Sequence, residues 1–220
     1  MYTARVLGRR YVTRARDTVE VRVTRCLSSY IPGQYVRVYI ECNDPKRFRE
    51  MNITSLPEDE HLSFAFRVSD SIWKRAAMML KPMDEVSIRG PYGLFLLPEE
   101  HARVAMLAHG IGITPFMSMI RHVVKTRMHE VALLYINHDR DHAPYIDELE
   151  HLVCSNFRLF EFFSNSLDIK EWIGDMQGDG IERWYISGEP RYVRAVRQLL
   201  VASGIDTARI SVEEFSGYCP

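Results

Sequence analysis

A short apolar run, Val104-Ala-Met-Leu-Ala108, ends at His109-Gly-Ile-Gly-Ile-Thr-Pro115 and gives way to a helical pattern reaching from about Pro115 to Lys125. A buried strand that turns through glycines directly into a helix has few ways to continue. The chain has to cross over and lay its next strand parallel to the first, in a sheet covered on both faces. The remaining sequence keeps that rhythm. Val131-Ala-Leu-Leu-Tyr-Ile136 reads as a second buried strand, Tyr145 to Cys154 as a helix, Phe157 to Phe163 as a third strand and Ile169 to Met176 as a helix. Trp184-Tyr-Ile-Ser187, a helix from about Arg191 to Ser203, and Arg209-Ile-Ser-Val212 complete the alternation. The expectation is an α/β domain built on a parallel sheet.

The turn itself carries chemistry. Gly110 and Gly112 let the backbone bend sharply and approach a ligand where a Cβ would clash. Pro115 suits the first turn of a helix, where its missing N–H costs nothing. A helix that starts there offers free N–H groups and a partial positive charge to a pyrophosphate, and Thr114 adds a hydroxyl. A tight strand-to-helix turn without a ligand is the plainer alternative. The spacing GxGxxP differs from GxGxxG and argues against an ordinary Rossmann dehydrogenase.

The first hundred residues have another texture. Val19-Glu-Val-Arg-Val-Thr24 and Leu62-Ser-Phe-Ala-Phe-Arg-Val68 alternate apolar and polar residues, as half-buried strands do. Tyr35-Val-Arg-Val-Tyr-Ile40 follows the turn Ile31-Pro-Gly-Gln34, and Val86-Ser-Ile-Arg89 leads into Gly90-Pro-Tyr-Gly93. One helical segment, Ser71 to Leu80, interrupts the series, with Ser71 placed as its cap. This spacing predicts a small antiparallel Greek-key β-barrel over residues 1–98, followed by the α/β nucleotide-binding domain over 99–220.

Composition narrows the function classes. A formal net charge of -1 gives no general attraction to nucleic acid or anionic lipid. No apolar stretch resembles a signal peptide or reaches the length of a membrane span, so a cytoplasmic protein is expected. Cys26, Cys42, Cys154 and Cys219 are too scattered for a zinc site, an iron–sulfur cluster or a redox pair. His138, His142 and His151 lack ligand spacing, and no metal site is expected. Ser28 and Ser29 have no nearby base. Met78, Met79, Met117 and Met119 read as core packing.

Six segments in order, Pro32-Gly-Gln-Tyr35, Arg49-Glu-Met-Asn-Ile-Thr-Ser55, Gly90-Pro-Tyr-Gly93, Gly110-Ile-Gly-Ile-Thr-Pro115, Ser187-Gly-Glu-Pro190 and Glu213-Glu-Phe-Ser-Gly-Tyr218, make the chain resemble the ferredoxin–NADP reductase superfamily, in particular its short bacterial flavin reductase-like members. The resemblance implies FAD, in preference to FMN, held by the barrel, with NADH or NADPH docking on the second domain. It implies hydride transfer to flavin N5 and onward delivery to a separate acceptor such as a ferredoxin or similar electron carrier.

By that resemblance Arg49 matches the arginine that binds the flavin phosphate. Met51 stands where the family stacks an aromatic ring on the isoalloxazine, and Asn52 replaces a hydroxyl near flavin N5. Ile53, Thr54 and Ser55 would meet the ring edge. Ser71 and Lys74 would give a second phosphate contact at the short helix, and Arg67 would serve the ribityl phosphate region. On the nicotinamide side, Gly110, Ile111, Gly112, Ile113, Thr114 and Pro115 would receive the dinucleotide phosphates. His138 occupies a position where relatives place an arginine for the 2′-phosphate. Asp139 favours a ribose hydroxyl instead, while Arg140 pulls the other way. Ser187 replaces a cysteine near the nicotinamide and Gly188 allows close approach. Glu214, Phe215 and Tyr218 match the C-terminal stretch near the flavin. Asn52, Ser187 and Glu214 are the expected catalytic positions, and no side chain need act as acid or base in the hydride step. The alternatives are a non-catalytic partner-binding or regulatory module of the same fold, or an electron-transfer subunit of a larger complex.

Overall fold

The computed structural model describes residues 1–163 and 169–215. They group into two compact units, Met1–Leu96 with Thr114–Met119, and Leu97–Ile113 with the chain from Ile120 onward. No helix among the described residues is long and apolar enough to cross a membrane.

The first unit is built from β1 (Tyr2–Tyr11), β2 (Thr18–Thr24), β3 (Tyr35–Tyr39), β4 (Phe48–Asn52), β5 (His61–Arg67), helix α1 (Ile72–Met79) and β6 (Glu85–Tyr92). Its six strands run antiparallel in the order β4-β3-β6-β1-β2-β5. The two edge strands then meet: Ile53 bridges Phe64, and the Thr54 N–H donates to Ser63 O at 2.9 Å. Closure removes both edges. With β4 beside β5 and β6 beside β3, the connectivity is a Greek key. Alternation decides what faces inward. Val19, Val21 and Val23 of β2, Val36 and Val38 of β3, and Leu62, Phe64 and Phe66 of β5 share one core. Trp73 and Ala77, four apart on α1, join it, and Trp73 meets Phe66 edge-on with ring centroids 5.7 Å apart. Met79, expected inside, is 75% exposed because it lies on the opposite side of α1. The first strand, β1, was not expected: of its ten residues only Ala4 and Val6 are buried, too few to register as an alternating pattern.

The second sheet consists of β7 (Arg103–His109), β8 (Glu130–Asn137), β9 (Phe157–Phe163), β10 (Arg183–Gly188) and β11 (Ile210–Glu214). All are parallel, in the order β11-β10-β7-β8-β9. Helices α2 (Thr114–Thr126), α3 (Ile146–Leu152), α4 (Ile169–Gly178) and α5 (Pro190–Ala202) alternate with them, and Gly110–Ile113 forms a 3-10 turn between β7 and α2. Ala105, Leu107, Ala132, Leu134, Trp184 and Ile186 pack with Trp172, Ile173 and Met176 of α4 and Val193, Val196 and Leu200 of α5. The alternate residues Val104, Met106, Val131, Leu133 and Tyr185 are buried as well, so both faces are covered. From β7 the chain first proceeds outward through β8 and β9, then returns to lay β10 on the other side of β7. That reversal is the topological switch point, where open α/β sheets bind ligands at the carboxyl ends of their strands.

Candidate functional site

In the barrel, β4 carries the segment matched to flavin binding, and its two faces divide the work. Met51 and Ile53 point into the core, where both are buried among apolar side chains. Met51 is therefore packing, not a cover for a flat ring. Asn52 faces the other way, is 5% exposed, and its Nδ2 has no hydrogen-bond partner among the described residues. A buried amide donor without an acceptor costs free energy, and a bound polar ring edge is the kind of group that would satisfy it. The hydroxyls of Thr54 and Ser55 are engaged internally. Thr54 Oγ1 bonds Ser63 Oγ at 2.8 Å, and Ser55 Oγ accepts from the Ser63 N–H at 3.0 Å and lies 2.9 Å from the Tyr30 hydroxyl. They hold the barrel seam.

Arg49 shares the Met51 face but is the second residue of β4, beside Trp73 of α1. Its Nη2 donates to Asp44 Oδ2 at 2.7 Å and its Nη1 to the carbonyls of Lys46 and Phe48 at 2.7 and 3.0 Å. Ser71 Oγ accepts from the Lys74 N–H and caps α1. Lys74 has its ammonium pushed below the ordinary lysine range by burial first and then by Arg49 and Arg67. Arg67 has a buried Nε with no hydrogen-bond partner among the described residues, the Asp17 carboxylate lying 3.8 Å away. Three cations thus converge near the start of α1.

In the second unit the switch point brings together residues from three strands. Ser187 is the next-to-last residue of β10, His109 ends β7 and Asn137 ends β8. Ser187 is fully buried and Asn137 5% exposed. Neither Ser187 Oγ nor either polar atom of the Asn137 amide has a partner among the described residues. Tyr192, from the first turn of α5, stacks on His109 with ring centroids 5.0 Å apart. Its buried hydroxyl also has no hydrogen-bond partner among the described residues, and burial holds it well above the ordinary tyrosine range. Three buried polar groups left open at one sheet edge fit a polar planar ligand far better than an apolar one. Of these residues only Ser187 lies in a recognisable sequence motif of the site; His109, Asn137 and Tyr192 do not stand out in the sequence. The usable signal was position, since each polar residue directly ends an apolar strand or starts the next helix.

In the glycine turn, Gly112 has a packing role besides the ligand-facing one expected of it. A Cβ on Gly112 would lie 2.3 Å from Ser187 O and 2.7 Å from Gly188 Cα, so this glycine lets the turn pack against β10. Gly110 adopts φ of 55° and directs its carbonyl to the Tyr135 hydroxyl at 3.1 Å. Ile111, Gly112, Ile113 and Thr114 are buried, and Pro115 occupies the first turn of α2. Gly188, at φ of 151°, leaves 3.1 Å between a built Cβ and His109 Cβ. Glu214 pairs with Gly188 across β11 and is exposed, and the Phe215 N–H donates to Gly188 O at 3.0 Å. Tyr218 lies outside the described residues.

After β8, His138 is 91% exposed and bonds Asp139 Oδ2 at 2.9 Å. Hydrogen bonds from His138 and then His142 hold the Asp139 carboxyl well below the usual carboxylate range. Arg140 is gathered by Glu150 at 2.5 Å, Glu161 at 3.0 Å and Asp147 at 3.6 Å. A polar depression lined by Arg103, Glu130, Asn156, Arg158 and Asp179 lies at the opposite, amino-terminal end of the sheet, and its Arg158–Asp179 pair closes at 2.7 Å.

Comparison with known proteins agrees with this geometry. Residues 106–183 match the family model described as oxidoreductase NAD-binding domain. The chain is 29% identical to the toluate 1,2-dioxygenase electron transfer component of Pseudomonas putida, over 86% of this chain and 59% of that protein. It is also 29% identical to the glycine betaine monooxygenase reductase subunit of Pseudomonas aeruginosa, over 84% of this chain and 56% of that protein. The chain therefore spans less than two thirds of the length of these curated relatives. Among solved structures, ferredoxin-NADP+ reductase from Plasmodium falciparum superposes with a TM-score of 0.81 at 17% identity, covering 97% of this chain and 95% of that one. A ferredoxin NADP+ reductase from Neisseria gonorrhoeae with bound FAD and NADP gives 0.80 at 19% identity, covering 96% and 97%. With a Greek-key barrel and a parallel sheet opening at the β7–β10 switch point, the chain has the fold of the ferredoxin-NADP+ reductases, and its second unit carries the match to the oxidoreductase NAD-binding domain.

Proposed function

We propose that this chain is an NAD(P)H-dependent flavin-containing reductase that moves electrons from a nicotinamide dinucleotide through FAD to a separate acceptor protein, a ferredoxin-like carrier or an oxygenase component. The observation that carries the reading is the carboxyl edge of the second sheet, where Ser187, Asn137 and Tyr192 present buried polar groups with no partner among the described residues. Bound flavin supplies two-electron acceptance and one-electron release. The chain's own residues bind and orient. Ser187 Oγ and the Asn137 amide hydrogen-bond the nicotinamide carboxamide, the His109–Tyr192 stack walls the ring, and the turn after β7 receives the pyrophosphate. On the barrel, Asn52 Nδ2 donates to the flavin edge, while Arg49, Lys74 and Arg67 supply the charge for its phosphate.

The donor in this reading is NADH. A 2′-phosphate needs a free cation, and Arg140 is already surrounded by three carboxylates, with the anionic Asp139 beside it. The scattered cysteines suit a reducing compartment, and a cytoplasmic location belongs to the same proposal.

The test is steady-state turnover of the purified chain supplemented with FAD, using each donor and an artificial acceptor. Turnover above free flavin, with NADH about tenfold or more ahead of NADPH in kcat/KM, is expected on the scale of one mispaired charge. No turnover with either donor would overturn the enzyme and leave a non-catalytic partner-binding module. The engagement of Arg49 by Asp44 is the one observation favouring that second reading.

A further inference from the structure

The side chain assigned above to the flavin phosphate already holds an anion. Asp44 presents Oδ2 to Arg49 Nη2 at 2.7 Å, and the same oxygen accepts from the backbone N–H of Trp73, the second residue of α1, at 3.3 Å. Its Oδ1 accepts from the Lys46 N–H at 2.9 Å and faces Arg49 Nη1 at 3.5 Å. The Asp44 side chain is 8% exposed. A guanidinium fork and the open N–H groups of a helix start are the two features by which proteins hold a phosphate oxygen. Here one carboxylate uses both. Arg49 and the Trp73 indole face each other, with the guanidinium 6.0 Å from the ring centroid, so this arrangement is packed from the core side.

Charge makes the arrangement a poor final state. Lys74 and Arg67 stand close enough to Arg49 to depress the Lys74 ammonium. Among the described residues, the ion pairs of these three cations are with Asp44 and, 3.8 Å from Arg67, with Asp17. The phosphate monoester of FMN and the pyrophosphate of FAD each carry about two negative charges against one on a carboxylate, so either answers this cluster better.

We propose that Asp44 is a built-in competitor for the flavin phosphate: its carboxylate holds the Arg49 fork and the start of α1, and a phosphorylated flavin binds only by displacing it. The inference rests on the flavoprotein reading above. It makes flavin occupancy a property set by one loop residue, Asp44 lying between β3 and β4, and not by the barrel alone.

Titration of the full chain with FAD, FMN and riboflavin, followed by flavin fluorescence and calorimetry, tests it. Asp44→Asn removes the charge but keeps an oxygen for the Trp73 N–H, and Asp44→Ser does so with a shorter arm. Both are expected to bind FAD and FMN about tenfold more tightly than the parent chain, the scale of one charge-assisted pair. Riboflavin, which lacks a phosphate, should bind the three proteins equally. Circular dichroism melts report that the variants are folded, and a variant that is not folded is set aside for the other. Equal or weaker FAD binding by a folded variant overturns the competitor, as does a gain shared by riboflavin; in both cases the flavoprotein reading stands. Absence of binding by all three flavins to all three proteins overturns both together.

Discussion

Ser187 is a buried hydroxyl with no hydrogen-bond partner among the described residues, and such a group is stabilising only to a ligand. Ser187→Ala should therefore leave stability within about 0.5 kcal/mol of the parent, or raise it, because no protein hydrogen bond is lost. The same change should lower NADH-dependent turnover by roughly tenfold or more, the loss of one positioning hydrogen bond. Thermal melts and kcat/KM with NADH check the two halves, and an unstable variant would show that the hydroxyl serves the fold. Tyr30 is the opposite case. Its hydroxyl donates to Leu56 O at 2.6 Å and lies 2.9 Å from Ser55 Oγ, and burial raises its pKa to about 12 from an ordinary 10.0. Above the ordinary value the unfolded chain releases this proton while the folded chain keeps it. The Tyr30 contribution is thus complete below about pH 10 and falls away as pH rises toward 12. Urea unfolding across that window should show a decline in stability that is shallower in Tyr30→Phe by up to one proton. Parallel declines would rule out Tyr30 as the titrating group.

Elements were legible wherever burial is periodic along the chain. The alternation in β2 and β5 and the apolar runs of β7 and β8 follow from side chains pointing alternately or jointly into cover. Strand β1 is not legible because only Ala4 and Val6 face the core, and exposed Met79 reads as core because a two-turn helix shows too little of its period. The turn after β7 was legible as a turn, whereas the reason for its second glycine was not. Gly112 touches the backbone of Ser187 and Gly188, residues some seventy-five positions away, and no local pattern encodes that contact. Gly112→Ala is expected to destabilise the chain by about 2–3 kcal/mol, because backbone and not a flexible side chain must yield. Denaturant unfolding measures it. Unchanged stability with weakened NADH binding would instead return Gly112 to the role of a ligand-facing glycine.

At the scale of the whole chain, two sheets of different logic are readable from the change in texture near Pro98, and the resemblance to a reductase fold from six short segments in order. Strand types, the glycine turn and the capped helix α1 are local properties: propensity, burial period and backbone freedom act over a few residues, so the linear chain determines them by itself. Which polar groups are left open and which charges are already matched was decided only by the tertiary structure. Arg49 reads as an open phosphate ligand until Asp44 folds onto it as a competing anion, Arg140 as a free cation until Glu161 arrives from β9, and Thr54 as a ligand contact until Ser63 closes the seam. The reason is physical. Hydrogen bonds and ion pairs fall off with distance in space, and folding sets those distances by juxtaposing strands that are far apart in sequence.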